Sequence, residues 1–348
     1  MTGLPPPSLF PVHINARTER VGFLPTTREA LSAAPFLDQR FAGTTSPAKY
    51  WTVRELLEHV DGLPLPPMIF HTAFCCSTLL ATAFDHPGRL LALKEPDLIM
   101  QLANLKRVHS PLRSDPGRFS RWLQLTLVLL GRRFEADEKV LLKPTNAAAN
   151  LLMDVARLNS PMLLLYSDLR AFLVSVIKKG EAGRWFVRHL LNILRLDGAL
   201  INDWQERERM AMTDLQVAAL VWWLQIDNYL AFLDRTLPGQ RVGTLDATAF
   251  LEQPAVALAA VNDQLKLSLP VDMLTRAANG PAFQRHSKFA DLEYDAAQRA
   301  DERASIEAAH GEAIEVTLAW AAQLRGSPDA LPHAIGRLQS ASVLRGLA

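Results

Sequence analysis

Residues 72 to 78 read Thr72-Ala73-Phe74-Cys75-Cys76-Ser77-Thr78, between the apolar run Met68-Ile69-Phe70-His71 and the helix-compatible stretch Leu79-Leu80-Ala81-Thr82-Ala83-Phe84. This order predicts a strand, a tight loop and a helix start. The first turn of a helix presents backbone N–H groups with no intrahelical partner and a partial positive charge, so an anion fits there. Ser77 and Thr78 add hydroxyl groups where a phosphate or sulfate oxygen would sit. The chemistry suggested is the holding of an oxyanion and, with a base and a cation nearby, transfer of the group that carries it.

The elements that must position this loop follow from the rest of the pattern. Short apolar runs recur at Leu90 to Leu93, Val140 to Leu142, Met162 to Tyr166 and Val242 to Leu245. They are continuous rather than alternating, as strands buried on both faces are, and so indicate a parallel sheet. Helical patterns lie between them. Asp115-Pro116 opens one as N-cap and N1, Thr145-Asn146 another, and Asp168 a third that leaves through Lys178-Lys179-Gly180. Strand and helix alternate, which makes the class α/β: a three-layer sandwich around a mainly parallel central sheet. In such sheets ligands bind beyond the carboxyl ends of the strands. The residues to weigh are therefore Thr72 to Thr78, then Lys94-Glu95-Pro96, then Lys143-Pro144-Thr145, then Ser167 to Arg170 with Ser175 further along the helix. Glu95 and His71 are alternative proton acceptors, and Lys143 can stabilise developing negative charge. Each has a plainer reading. Glu95 is also an acid favouring a helix N-terminus, His71 a satisfied buried histidine, and Lys143 a solvated strand-end lysine.

The chain of 348 residues is 49% hydrophobic and 21% charged, with 37 Lys+Arg against 36 Asp+Glu. The balance leaves no global basic field, which argues against a nucleic-acid partner or a polybasic membrane binder. The N-terminal Met-Thr-Gly-Leu-Pro-Pro-Pro has no secretory-signal pattern and no apolar run spans a bilayer, so the expected location is the cytoplasm. The two cysteines, Cys75 and Cys76, are adjacent; that spacing suits neither a disulfide nor a metal site, and they read as compact residues packing a turn. Residues 1–65 read as a Pro- and Thr-rich lead-in with one short helix announced by the capping box Thr52-Val53-Arg54-Glu55. Residues 66–300 read as one domain with a helical insertion at about 181–238, and residues 301–348 as helices packed on it.

Phe74-Cys75-Cys76-Ser77-Thr78-Leu79, together with Leu163 through Ser175, resembles the P-loop sulfotransferase family, which binds 3′-phosphoadenosine 5′-phosphosulfate. The family's first loop carries a basic residue, a small residue, glycine, two Thr/Ser and an apolar residue, and cradles the 5′-phosphosulfate. The resemblance implies that Thr72 and Phe74 to Leu79 do so here. The family's second motif, a strand followed by Arg and, eight positions later, Ser, holds the 3′-phosphate. It maps onto Ser167 and Ser175, with Arg170 one turn beyond the consensus arginine slot. Val242 through Leu251, Pro254 and Leu267 resemble its last strand and the following helix. Arg285-His286-Ser287-Lys288 lie where the family places a basic loop that closes over the nucleotide. The fold so implied is P-loop nucleoside triphosphate hydrolase-like. The reaction implied is sulfuryl transfer to a hydroxyl or amine on a small-molecule, glycan or peptide acceptor, without metal, with Glu95, Lys143 or His71 in catalysis. The chain departs from the family at Phe74, Cys76 and Ser167, and these changes keep open a lapsed enzyme retained for nucleotide binding or interaction. A positive φ at Cys76 would cost about 1–2 kcal/mol. The Gly-Lys-Ser/Thr of nucleotide triphosphatases is absent, which disfavours a kinase or hydrolase.

Overall fold

The computed structural model describes residues 3–43, 45–108, 114–198, 200, 203–286, 289–293 and 296–346. The chain opens with a three-stranded antiparallel sheet, β1 (Leu9–Asn15), β2 (Arg20–Pro25) and β3 (Lys49–Thr52). Five further strands form the central sheet: β4 (Met68–His71), β5 (Leu90–Lys94), β6 (Lys139–Lys143), β7 (Met162–Tyr166) and β8 (Val242–Asp246). Their order across the sheet is β5-β6-β4-β7-β8, and every neighbouring pair is parallel. From β4 the chain steps out to the edge at β5, returns to β6 beside β4, and then fills the other flank with β7 and β8. The connections thus diverge from β4, whose carboxyl end is where a crevice opens in folds of this kind.

Both faces of the sheet are covered. Ile69, Leu141, Leu163 and Leu165 pack against the Ser77–Phe84, Pro254–Gln264 and Val271–Ala278 helices. Met68, Phe70, Leu164 and Tyr166 face the Pro116–Leu130, Leu169–Lys178 and Asp214–Leu233 helices. Burial on both sides explains the unbroken apolar runs of β4, β5 and β7. The molecule is the three-layer α/β sandwich its sequence indicates.

Local chemistry sets the helix boundaries. The Thr52 hydroxyl accepts from Glu55 N–H while the Glu55 carboxylate accepts from Thr52 N–H, a complete capping box. Asp115 accepts from Arg118 N–H with Pro116 at the first helical position, and Asp168 accepts from Ala171 N–H. At Gly180 φ is +56°, and there the chain turns into the Gly180–Leu194 helix. The insertion continues through Asp214–Leu233, a helix apolar almost all round and accordingly sunk in the core with Trp222 and Trp223. The last long helix, Ala296–Gln323, packs on Leu169–Lys178 and Asp214–Leu233, and Ala321 O accepts from Trp223 Nε1 at 2.9 Å.

The lead-in holds more structure than the sequence reading gives it. Besides the Thr52-capped helix it contains β1 to β3, and β1 is tied to the Asp97–Arg107 helix by Gln101, which accepts from Ile14 N–H and donates to Val12 O. Pro11 disguises β1. A register shift falls between Pro11 and His13, where a residue without an N–H can sit in an antiparallel pair.

Candidate functional site

The carboxyl ends of β4, β5, β6 and β7 bring His71, Thr72, Glu95, Lys143 and Ser167 to one edge of the sheet. The loop after β4 turns through two left-handed residues, Phe74 at φ +58° and Cys76 at φ +59°, before the Ser77–Phe84 helix begins. The alternation makes a concave bend of amides of the kind that binds anions. Thr72 N–H donates to Leu165 O at 2.9 Å and Ala73 N–H to Gln225 Oε1 at 3.0 Å; the helix ladder starts only with Leu80 N–H to Cys76 O at 3.0 Å. In between, among the described residues, the N–H groups of Phe74, Cys75, Ser77 and Thr78 meet no carbonyl oxygen. Ser77 N–H lies toward the Cys75 sulfur.

The Cys75 sulfur thus meets one of these amides, while the Phe74 side chain is directed elsewhere. The Phe74 ring stands edge-on to Phe172 and to Phe186, each at 5.4 Å between centroids, on the side of the helical insertion. Cys75 is buried, and its Sγ–H donates to Thr72 O at 2.9 Å. Burial, then the neighbouring Cys76, pushes its thiol up to about 12, so it stays protonated at neutral pH. Both cysteines are free of disulfide. Ser77, Thr78 and Leu79 occupy the first helical turn and are nearly inaccessible.

His71, Lys143 and Glu95 form one chain of contacts. Lys143 Nζ donates to Glu95 Oε1 at 2.6 Å and lies 3.2 Å from His71 Nε2. His71 Nδ1 is 2.8 Å from Thr72 O, and Nε2 is 2.9 Å from Pro144 O. Burial, reinforced by the Lys143 charge, drives the His71 pKa down to about 3, so the ring is neutral and carries one proton. Each nitrogen faces a carbonyl, so one lone pair must oppose one; placing the proton on Nδ1 satisfies Thr72 O, and the Nε2 lone pair opposite Pro144 O accepts from Lys143. The Lys143 side chain is fully buried and that of His71 is 6% exposed, whereas the Glu95 side chain is 19% exposed. Glu95 is therefore the member of this trio that can meet an incoming molecule. It too has a positive φ, +55°, and its N–H donates to Lys143 O at 2.6 Å, which pins the strand exit. Lys94 takes no part: its Nζ donates to Ser32 O at 2.6 Å.

Just past β7, Ser167 is buried; its carbonyl accepts from Trp222 Nε1 at 2.8 Å and its hydroxyl has no partner. Thr72 Oγ1 and the Tyr166 and Tyr229 hydroxyls are likewise buried and unpartnered. Arg170 is the second residue of the Leu169–Lys178 helix, 36% exposed and ion-paired with Glu315 of the Ala296–Gln323 helix. Ser175 is half-buried on the same helix, where its carbonyl accepts from Lys179 N–H. Arg285 and His286 form a two-residue strand whose side chains lie outside the described residues, as do Ser287 and Lys288 altogether. A cavity of about 230 Å³ lined by Ser160, Met162 and Arg241 opens at the opposite edge, where the strands begin, and shares no residue with the loop.

Two residues of the insertion that the sequence reading does not assign to the site hydrogen-bond to its backbone: Trp222 and Gln225. The available signal was Gln225, a lone amide in the apolar run from Val217 to Ile226. Among the described residues no group of three His, Cys, Asp or Glu side chains is arranged to hold a metal, and no helix is long and apolar enough to cross a membrane. No protein-family model and no curated protein matches the chain. Among solved structures it is similar to the sulfotransferase domain from the curacin biosynthetic pathway, at 14% identity and a TM-score of 0.44, over 72% of this chain and 98% of that domain.

Proposed function

We propose that the protein is a sulfotransferase that takes its sulfuryl group from 3′-phosphoadenosine 5′-phosphosulfate and passes it to a hydroxyl or amine on a small-molecule, glycan or peptide acceptor, in the cytoplasm. The observation that carries this reading is the loop itself: two left-handed residues, then N–H groups without carbonyl partners at the mouth of a helix, on the strand from which the sheet diverges. These features fit the phosphosulfate end of the donor. The amides of Cys75 and Thr78 and the hydroxyls of Ser77 and Thr78 would hold it. Ser167 Oγ, buried without a partner, fits an acceptor of hydrogen bonds on the nucleotide side. When bound, the donor supplies a sulfuryl group on a phosphate leaving group. Glu95 accepts the proton of the attacking hydroxyl or amine, because its side chain is the solvent-reaching member of the trio. Lys143 fixes the direction of that carboxylate, and neutral His71 keeps Lys143 turned toward it.

A second reading, nucleotide binding without turnover, is favoured by one observation: the loop's consensus cation is replaced by Phe74, whose ring is committed to Phe172 and Phe186. Calorimetric titration with adenosine 3′,5′-bisphosphate separates the outcomes. Saturable binding together with sulfuryl transfer to a member of an acceptor panel supports the first reading. Binding with no transfer across the panel supports the second, and absence of binding at high micromolar ligand refutes both.

A further inference from the structure

The loop is steadied from outside the sheet. Ala73, its first residue beyond the β4 ladder, donates its N–H to Oε1 of Gln225 at 3.0 Å, and Gln225 Nε2 donates to Val221 O of its own helix at 3.1 Å. Gln225 is 2% exposed, so neither bond competes with bulk water. One turn earlier on the same helix, Trp222 holds the Ser167 carbonyl. Residues spaced by three and four share one face of an α-helix. One face of the Asp214–Leu233 helix therefore contacts both strand ends that flank the proposed donor.

The backbone shows why the Ala73 contact matters. Thr72 N–H makes the last bond between β4 and β7, and Phe74 begins the left-handed bend. The Thr72–Ala73 peptide plane lies between them; its carbonyl is held by His71 Nδ1 and Cys75 Sγ and its N–H by Gln225, so this planar unit is fixed from both sides. From this, and resting on the oxyanion-binding reading above, we infer that Gln225 is a positioning residue. Its carboxamide takes the place of a strand neighbour for Ala73 and thereby aims the amides that follow. A buried N–H deprived of its acceptor is unfavourable. In the absence of Gln225 the plane is held only at its carbonyl, by His71 and Cys75; the relief open to Ala73 is to tilt about that end, and the tilt carries the loop amides off the anion.

The test is amide hydrogen exchange together with ligand binding, on the wild type and Gln225→Met. In the wild type the Ala73 amide is expected to be protected like those of β4, while the Cys75 and Thr78 amides exchange fast. In Gln225→Met, exchange of Ala73 is expected to rise by about tenfold or more without change in β5 or β8. The Kd for adenosine 3′,5′-bisphosphate, measured well below the melting temperature, is expected to weaken by about tenfold. A purely structural glutamine would lower the melting temperature and leave both readouts of the folded protein unchanged; that result overturns the inference. Fast exchange of Ala73 in the wild type overturns it too, and needs no variant to fold. If the wild type binds no nucleotide, the donor reading falls, while the exchange data still decide whether Gln225 holds the loop.

Discussion

Lowering the pH should destabilise this protein through one identifiable residue. His71 is fully enclosed, its two nitrogens face two carbonyl oxygens and an ammonium, and its pKa falls from 6.5 to about 3 through burial first and the Lys143 charge second. In the unfolded chain the same imidazole takes a proton near 6.5. Between these values the unfolded state holds more protons than the native state, so stability falls as pH drops through 6.5 and stops falling, for this group, below about 3. Each pH unit within that window costs about 1.4 kcal/mol. The loss is therefore about 2 kcal/mol by roughly pH 5 and about 5 kcal/mol across the whole window, an upper figure of the same order as the stability of a typical domain. The assay is urea denaturation at a series of pH values, for the wild type and His71→Gln. Asp97, Asp197 and Asp246, raised by burial, and His86, lowered by it, titrate in both proteins, so the difference between the two curves isolates His71. The variant should be less stable at neutral pH but lose less on acidification, and the curves should converge as the pH falls. Parallel curves would show that His71 is either solvated or already charged, and the neutral tautomer assigned to it would be wrong.

Three further perturbations probe the edge of the sheet. Cys76→Gly removes a non-glycine residue from φ +59°, relieving about 1–2 kcal/mol of strain against about 0.5–1 kcal/mol of added unfolded-state entropy, so a small net gain in urea midpoint is expected; a loss would place the strain elsewhere. Glu95→Gln keeps the size of the side chain but removes the proton acceptor, and should cut transfer by about 10²–10⁴-fold with nucleotide affinity retained; equal loss of both would make Glu95 a ligand contact instead of a base. Arg170→Ala breaks only a partly exposed pair with Glu315, so stability should change by less than about 1 kcal/mol and nucleotide affinity should hold; a clear loss of affinity by calorimetry would show that the guanidinium leaves Glu315 for the ligand.

The central sheet was legible because burial on both faces leaves an unmistakable trace. β4, β5 and β7 have no outward-facing positions to fill with polar residues, so each appears as an unbroken apolar run. Helix starts were legible at Asp115 and Asp168 because the cap is written within three residues of the amide it serves. At Cys76 the resemblance, which puts glycine there, raised the question of a positive φ, and the chain has one. What the sequence concealed are choices of partner made across long chain separations. Gln225 serves Ala73 at 152 positions' distance, Lys143 serves Glu95 at 48, and Glu315 takes Arg170 at 145. Nothing local to Arg170 distinguishes an arginine aimed at a phosphate from one turned aside by a carboxylate on a helix that arrives later. The antiparallel sheet β1 to β3 was hidden for a different reason: a proline at a register shift breaks the alternation that announces such strands.

The distribution of charge around the loop bears on how the protein would hold an anion. Phe74 supplies no charge where a basic residue is expected. Of the described cations weighed for that task, Lys94 is spent on Ser32 O, Arg170 on Glu315, and Lys143 on Glu95. Neutral His71 adds none. What the described part of the site offers is mostly dipolar: amides between two left-handed residues, a helix N-terminus, and the hydroxyls of Ser77, Thr78 and Ser167. Fixed dipoles in a poorly solvated site bind a charge without having to be held there by counter-charge, and their field falls off within the first helical turn. Such a site depends more on the exact aim of its N–H groups than a cationic one does, since a lysine can follow its ligand and a peptide plane cannot. That dependence gives a physical reason for a loop with so little charge to be braced at Ala73 by the amide of a buried glutamine.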